Sequence, residues 1–97
     1  SLKIHEALYQ RIVIHYTFHG IEQAQVKEYI NSRLELCGVT KSILEEAVYE
    51  VIGNYSNGSI RKLDNLLHTA LMLGCSKKVR TLDRETIMEA IREADLM

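Results

Sequence analysis

The chain contains no proline and only five glycines. These two residues do most of the work of ending elements and reversing the backbone. With so few of them, the chain is expected to be mostly helix with short connections. Its 97 residues make one domain, able to bury a single modest core. There is no tryptophan and one phenylalanine, so that core must be aliphatic, helped by five tyrosines.

Charge excludes some partners. Twelve basic residues stand against thirteen acidic ones, a net charge of -1, so nucleic acid is not indicated as a partner by charge, and neither is an anionic membrane. No apolar run approaches the roughly 18 residues of a membrane span, and direct membrane contact is not expected. The opening Ser1-Leu2-Lys3-Ile4-His5 lacks the apolar stretch of a secretory leader. Cys37 and Cys75 are too few for a disulfide scaffold. They read as reduced thiols of a cytoplasmic protein, each a small buried apolar residue.

The pattern divides the chain into five elements. Within residues 11–18, Ile12, Val13, Ile14, Tyr16, Thr17 and Phe18 are β-branched or aromatic, which suits a short strand. A lone strand leaves its backbone groups without partners, so either a second strand comes from another molecule or, the favoured reading, the strand is an orphan cut from a larger protein. A first helix is predicted over 22–37 on the stripe Val26, Tyr29, Ile30, Leu34 and Cys37, with Gly38 as its stop. A second is predicted over 41–55, capped by Thr40 or by a Ser42–Glu45 capping box. The run from Gly53 to Ser59 then breaks it. A third starts near Ser59, ends near Gly74 or Cys75, and carries Ile60, Leu63, Leu66, Leu67, Ala70, Leu71 and Leu73. As the most apolar of the helices it should be the central one. Lys77-Lys78-Val79-Arg80 is a solvated basic connector. A last helix starts on an Asp83 cap and reaches Asp95.

Few residues carry chemistry. His15 and His19 are four apart but fall in the strand and the turn after it, and no Cys or acidic pair completes a site with them, His5 or His68. No metal site is expected. Gly53 and Gly58 imitate a phosphate-binding loop, yet Ser59 and Ile60 stand where that loop needs Lys and then Ser or Thr. Arg61 is different. A cation in the first turn of a helix works against the dipole by some tenths of a kcal/mol, so such a residue often owes its place to something outside the helix, such as a phosphate.

The segment Tyr55-Ser56-Asn57-Gly58-Ser59-Ile60-Arg61-Lys62-Leu63-Asp64-Asn65-Leu66-Leu67 resembles the sensor 2 region of AAA+ ATPases. Gln10-Arg11-Ile12, Tyr29-Ile30-Asn31-Ser32-Arg33-Leu34 and Thr81-Leu82-Asp83-Arg84-Glu85-Thr86-Ile87 resemble the secretion- and transposition-type members of that superfamily. The likeness runs from about Gln10 to Glu93. It implies a mainly α fold, a four-helix lid-type bundle over 21–97. Before it, residues 1–20 would be a remnant of the nucleotide-binding core, with the orphan strand as the last strand of that core's sheet. The core, with its phosphate loop, lies upstream and outside this chain. The resemblance further implies that Arg61 is the sensor 2 arginine, with Gly58 and Ser59 beside it at the nucleotide, and that Arg11 is an arginine finger reaching a neighbouring subunit. Ile60 stands where many relatives carry proline. The intact protein would be an ATPase using ATP and Mg2+, a homo-oligomer whose lid works against its own core. These residues alone would hold no nucleotide tightly.

A second reading from a different class is a stand-alone helical module binding protein or DNA. The helices over 41–55 and from Ser59 can be drawn as a helix-turn-helix unit. Only Arg61, Lys62, Asp64, Asn65 and His68 would serve as its polar contacts. An independent small enzyme has no supporting set of residues.

Overall fold

The computed structural model describes residues 2–36, 38 and 43–95. Cys37, Lys41 and the expected caps Thr40 and Ser42 lie outside the described residues. Five helices follow one another: α1 Leu2–His19, α2 Gln23–Leu36, α3 Glu46–Ser56, α4 Ile60–Lys77 and α5 Arg84–Asp95. The helical class expected from the missing prolines is what forms. No helix among the described residues is long and apolar enough to cross a membrane.

The first element corrects the expectation. Residues 11–18 are not a strand but the second half of α1. β-propensity is a preference for a pleated, half-buried surface and not a property of the backbone alone. Without a neighbouring strand an extended segment leaves its amides and carbonyls unpaired, whereas a helix pairs them internally. Ile12, Val13 and Tyr16 turn toward the core, and the Tyr16 ring meets Tyr29 edge to face with centroids 6.1 Å apart. Ile14 points outward and is 59 % exposed. An inward set at 12, 13 and 16 is a helical spacing, not the alternation of a strand.

Helix α2 forms on the predicted stripe, with Val26, Tyr29, Ile30 and Leu34 buried. Helix α3 starts later than expected, because Ile43, Leu44 and Glu45 pair instead with Leu82. Leu44 and Leu82 form an isolated parallel bridge, in which Leu82 donates to the Ile43 carbonyl at 2.6 Å and Glu45 to the Leu82 carbonyl at 3.4 Å. Glu45 becomes the N-cap and makes no side-chain capping bond. At its other end α3 runs through Gly53 and Asn54 and stops only at Asn57.

Helix α4 is the central one and packs against α1, α3 and α5. Its buried face is Ile60, Leu63, Leu66, Leu67, Thr69, Ala70 and Gly74. Gly74 does not end it. A β-carbon there would sit 2.5 Å from Leu82 Cδ2, so the glycine lets the 78–83 connection lie against the helix. The helix continues to Lys77 and stops at left-handed Lys78. Cys75 therefore lies in the last turns of α4 on its outer side and is exposed, not buried. Lys77 pairs with Glu89 of α5, while Lys78, Val79 and Arg80 are exposed as a solvated connector should be. Asp83 caps α5, its Oδ1 accepting from the Thr86 amide at 2.8 Å.

The polar groups drawn into the interior are paired. Ser56 donates to the Ile52 carbonyl at 2.7 Å and Thr69 to the Asn65 carbonyl at 2.9 Å. Tyr29 donates to Asp64 Oδ1 at 2.7 Å, and Tyr49 to Asn31 Oδ1 at 2.9 Å. Among the described residues no buried side-chain polar atom lacks a partner. The radius of gyration is 12.9 Å, close to the roughly 13 Å of a compact 100-residue chain.

Candidate functional site

Two turns meet at one end of the bundle. The first joins α1 to α2: the Gly20 amide closes the last turn of α1 on the Tyr16 carbonyl at 2.9 Å, and Gly20 takes a φ of 80°. The second joins α3 to α4. Here Asn57 and Gly58 are left-handed in succession, with φ of 47° and 85°. Asparagine and glycine are the residues that bear this backbone at least cost. The Asn57 amide satisfies the Gly53 carbonyl at 3.0 Å, and the Ser59 amide the Ser56 carbonyl at 2.9 Å. A single bond ties the two turns together, from the Ile21 amide to the Gly58 carbonyl at 3.1 Å.

Between them lies an open groove of about 360 Å³, lined by Ile21, Gln23, Gly53, Asn54, Asn57 and Gly58. Its walls are largely side-chain amides and turn backbone, so it offers both donors and acceptors. Gln23 reaches across to donate from Nε2 to the Tyr49 carbonyl at 3.4 Å. Gly53 makes that reach possible, since a β-carbon on it would lie 2.0 Å from Gln23 Oε1.

The groove adjoins the start of α4. Ser59, near which the helix was expected to start, is its N-cap, and its Oγ accepts from the Lys62 amide at 3.2 Å. Arg61 follows in the first turn and is exposed. That turn holds no acidic residue, and Arg61 enters none of the ion pairs formed among the described residues. Its cation thus stands at the positive end of the helix dipole without a compensating carboxylate. The neighbouring Lys62 Nζ lies over the Tyr55 ring, 6.0 Å from its centroid. Asp64, one turn on from Arg61, is occupied by the Tyr29 hydroxyl and faces Arg33 Nε at 4.0 Å.

The expected site residues divide. Gly58, Ser59 and Arg61 come together at one turn and helix start. Arg11 does not join them; it is exposed on α1, about 13 Å along the helix from Gly20 at 1.5 Å per residue. The strand that was to place Arg11 at its edge is absent among the described residues. Among those residues no three His, Cys, Asp or Glu side chains form a metal-holding group. The groove itself was not anticipated. Gly53, Asn54 and Asn57 stood out in the sequence only as turn formers, and nothing in the sequence marked Ile21 or Gln23 as their neighbours.

Compared with known proteins, the chain matches no family model, no curated protein and no solved structure.

Proposed function

We propose that these residues are the helical lid of an AAA+ ATPase, and that Arg61 is the sensor 2 arginine acting on ATP held mainly by an upstream nucleotide-binding core. The observation that carries the reading is the exposed Arg61, with no acidic residue in its turn, in the first turn of a side-chain-capped helix beside the amide-lined groove. A guanidinium is suited to phosphate oxygens because its planar fork donates two parallel hydrogen bonds. Beside a transferring phosphoryl group it also offsets the charge that develops in the transition state. Gly58 and Ser59 set the angle at which α4 leaves the turn, and so where Arg61 stands.

In this reading the lid closes on the core when nucleotide is present, and Arg61 reports that closure to the reacting phosphate. Mg2+ belongs to the core's site, and no step here runs through it. Arg11 would act in trans from α1 in a homo-oligomer. The test is Arg61→Ala in the intact protein. ATP turnover should fall by about a hundredfold, the usual cost of removing one transition-state donor, with the thermal unfolding midpoint unchanged. Turnover equal to the unaltered protein would remove Arg61 from the mechanism. Tight, salt-sensitive binding of duplex DNA by the same chain would favour the interaction-module reading instead.

A further inference from the structure

The helical state of residues 11–18 changes what the two histidines near them can do. In a strand, residues four apart are about 13 Å apart and cannot share an ion. In a helix they are neighbours on one face, one turn apart. His15 and His19 occupy the last two turns of α1, both exposed, with ring centroids 4.6 Å apart and ring planes inclined by 33°. Two imidazoles that bind one tetrahedral ion through nitrogen at about 2.1 Å have ring centres about 5 Å apart. The pair is therefore already near chelating separation.

We propose that His15 and His19 form a two-histidine site for a borderline divalent ion of the zinc type, with water filling the remaining coordination positions. Neutral imidazole favours zinc, nickel and copper over the hard ions magnesium and calcium, which prefer oxygen. The location helps. The carbonyl end of a helix is the negative end of its dipole and favours a cation, and α1 ends at His19 with Gly20 closing the turn. Arg11, one turn before His15, opposes a cation there. Glu22, three residues beyond His19 in the chain, carries the opposite charge. A bound ion would clip the last turn of α1 and stiffen the Gly20 turn that borders the groove. The site is independent of the ATPase reading, since neither histidine lines the groove.

The experiment is a Zn2+ titration of the whole chain, followed by the ring nitrogen resonances of its histidines, with Mg2+ as the hard-ion control. One equivalent of zinc should shift His15 and His19 together and leave His68 in place, while Mg2+ moves neither. His15→Ala and His19→Ala should each weaken binding by about a hundredfold, because the second ligand of a chelate binds at high effective concentration. His5→Ala and His68→Ala should leave the affinity unchanged. Both target rings are exposed, so the variants should fold, and the far-ultraviolet circular dichroism of each checks that they do. Zinc affinity unaltered in either single variant, or rings unmoved at millimolar zinc, would overturn the proposal.

Discussion

Helix α1 carries no acidic residue in its first turn, and among its described side chains it meets the core through Ile12, Val13 and Tyr16, each only half-buried. Helix α5 begins on the Asp83 cap, carries Glu85 in its first turn and Arg92 in its last, and buries Thr86, Ile87 and Ala90. The second helix is specified locally, by cap, dipole complement and a clear amphipathic stripe. The first is specified by what surrounds it. Its residues 11–18 would serve a strand as well, and they are helical because no strand lies beside them among the described residues and the faces of α2 and α4 do. A locally specified element resists change in its surroundings. One specified by context follows them, which makes α1 more open than α5 to a different environment.

The largest expected effect tests how far the core leans on the two ends. Leu66 is fully buried on α4, and Leu66→Ala should cost about 2–5 kcal/mol, the lost transfer energy plus the cavity. Ile12 on α1 is only half-buried, so Ile12→Ala should cost about 1–2 kcal/mol on the area it removes from the interior. Urea unfolding of both variants gives the comparison. An Ile12→Ala loss equal to that of Leu66→Ala would mean that α1 belongs to the same cooperative core as α4.

A smaller effect tests the caps of α4 and α5. Ser59→Ala removes the Lys62 acceptor at the head of α4 and should cost about 1 kcal/mol. Asp83→Ala should lower the melting temperature by a few degrees, and its effect should depend on pH. The Asp83 carboxylate sits below its ordinary value of 3.8, held down chiefly by the Thr86 backbone amide and then by the Thr86 hydroxyl. A depressed folded pKa contributes stability above 3.8 that is lost as pH falls through the lower folded value. Melting curves from neutral to acid pH should therefore bring Asp83→Ala and the unaltered chain together at low pH. Asp83→Asn keeps a capping oxygen and should lose less than Asp83→Ala at neutral pH. If the gap between Asp83→Ala and the unaltered chain persists in acid, the cap is not acting through its charge.

The same division explains what could be read from the sequence. Helices α2, α4 and α5 were legible because stripes, caps and stops are local. Val26, Tyr29, Ile30 and Leu34 repeat at helical spacing, Ser59 and Asp83 stand where caps belong, and both do cap. The late start of α3 was not legible, because it depends on Leu44 bridging to Leu82, some forty residues away. Nor was Gly74, which reads as a stop but serves a close approach by Leu82. Of the site, the Asn57–Gly58 turn, the Ser59 cap and Arg61 could be found from their order along the chain. The groove could not, since Ile21 and Gln23 reach it only once two turns are tied by the Ile21 to Gly58 bond.

The smallest effect decides the most about α1. In a strand, Ile12, Ile14 and Tyr16 share one face and Val13 lies on the other. In the helix, Val13 is half-buried with Ile12 and Tyr16, and Ile14 stands out at 59 % exposure. The two states thus rank neighbouring residues in opposite order. In the helix, Val13→Ala removes packed methyl groups and should cost about 1 kcal/mol. Ile14→Ala loses little burial and gains helix propensity of a few tenths of a kcal/mol, so stability should move by no more than about 0.5 kcal/mol in either direction. Urea unfolding of the pair measures the order, and it needs no assumption about the rest of the fold. Should Ile14→Ala prove the more damaging of the two, the segment is pairing as a strand under those conditions. His15 and His19 then lie too far apart to chelate, so zinc binding requires the helical rank order.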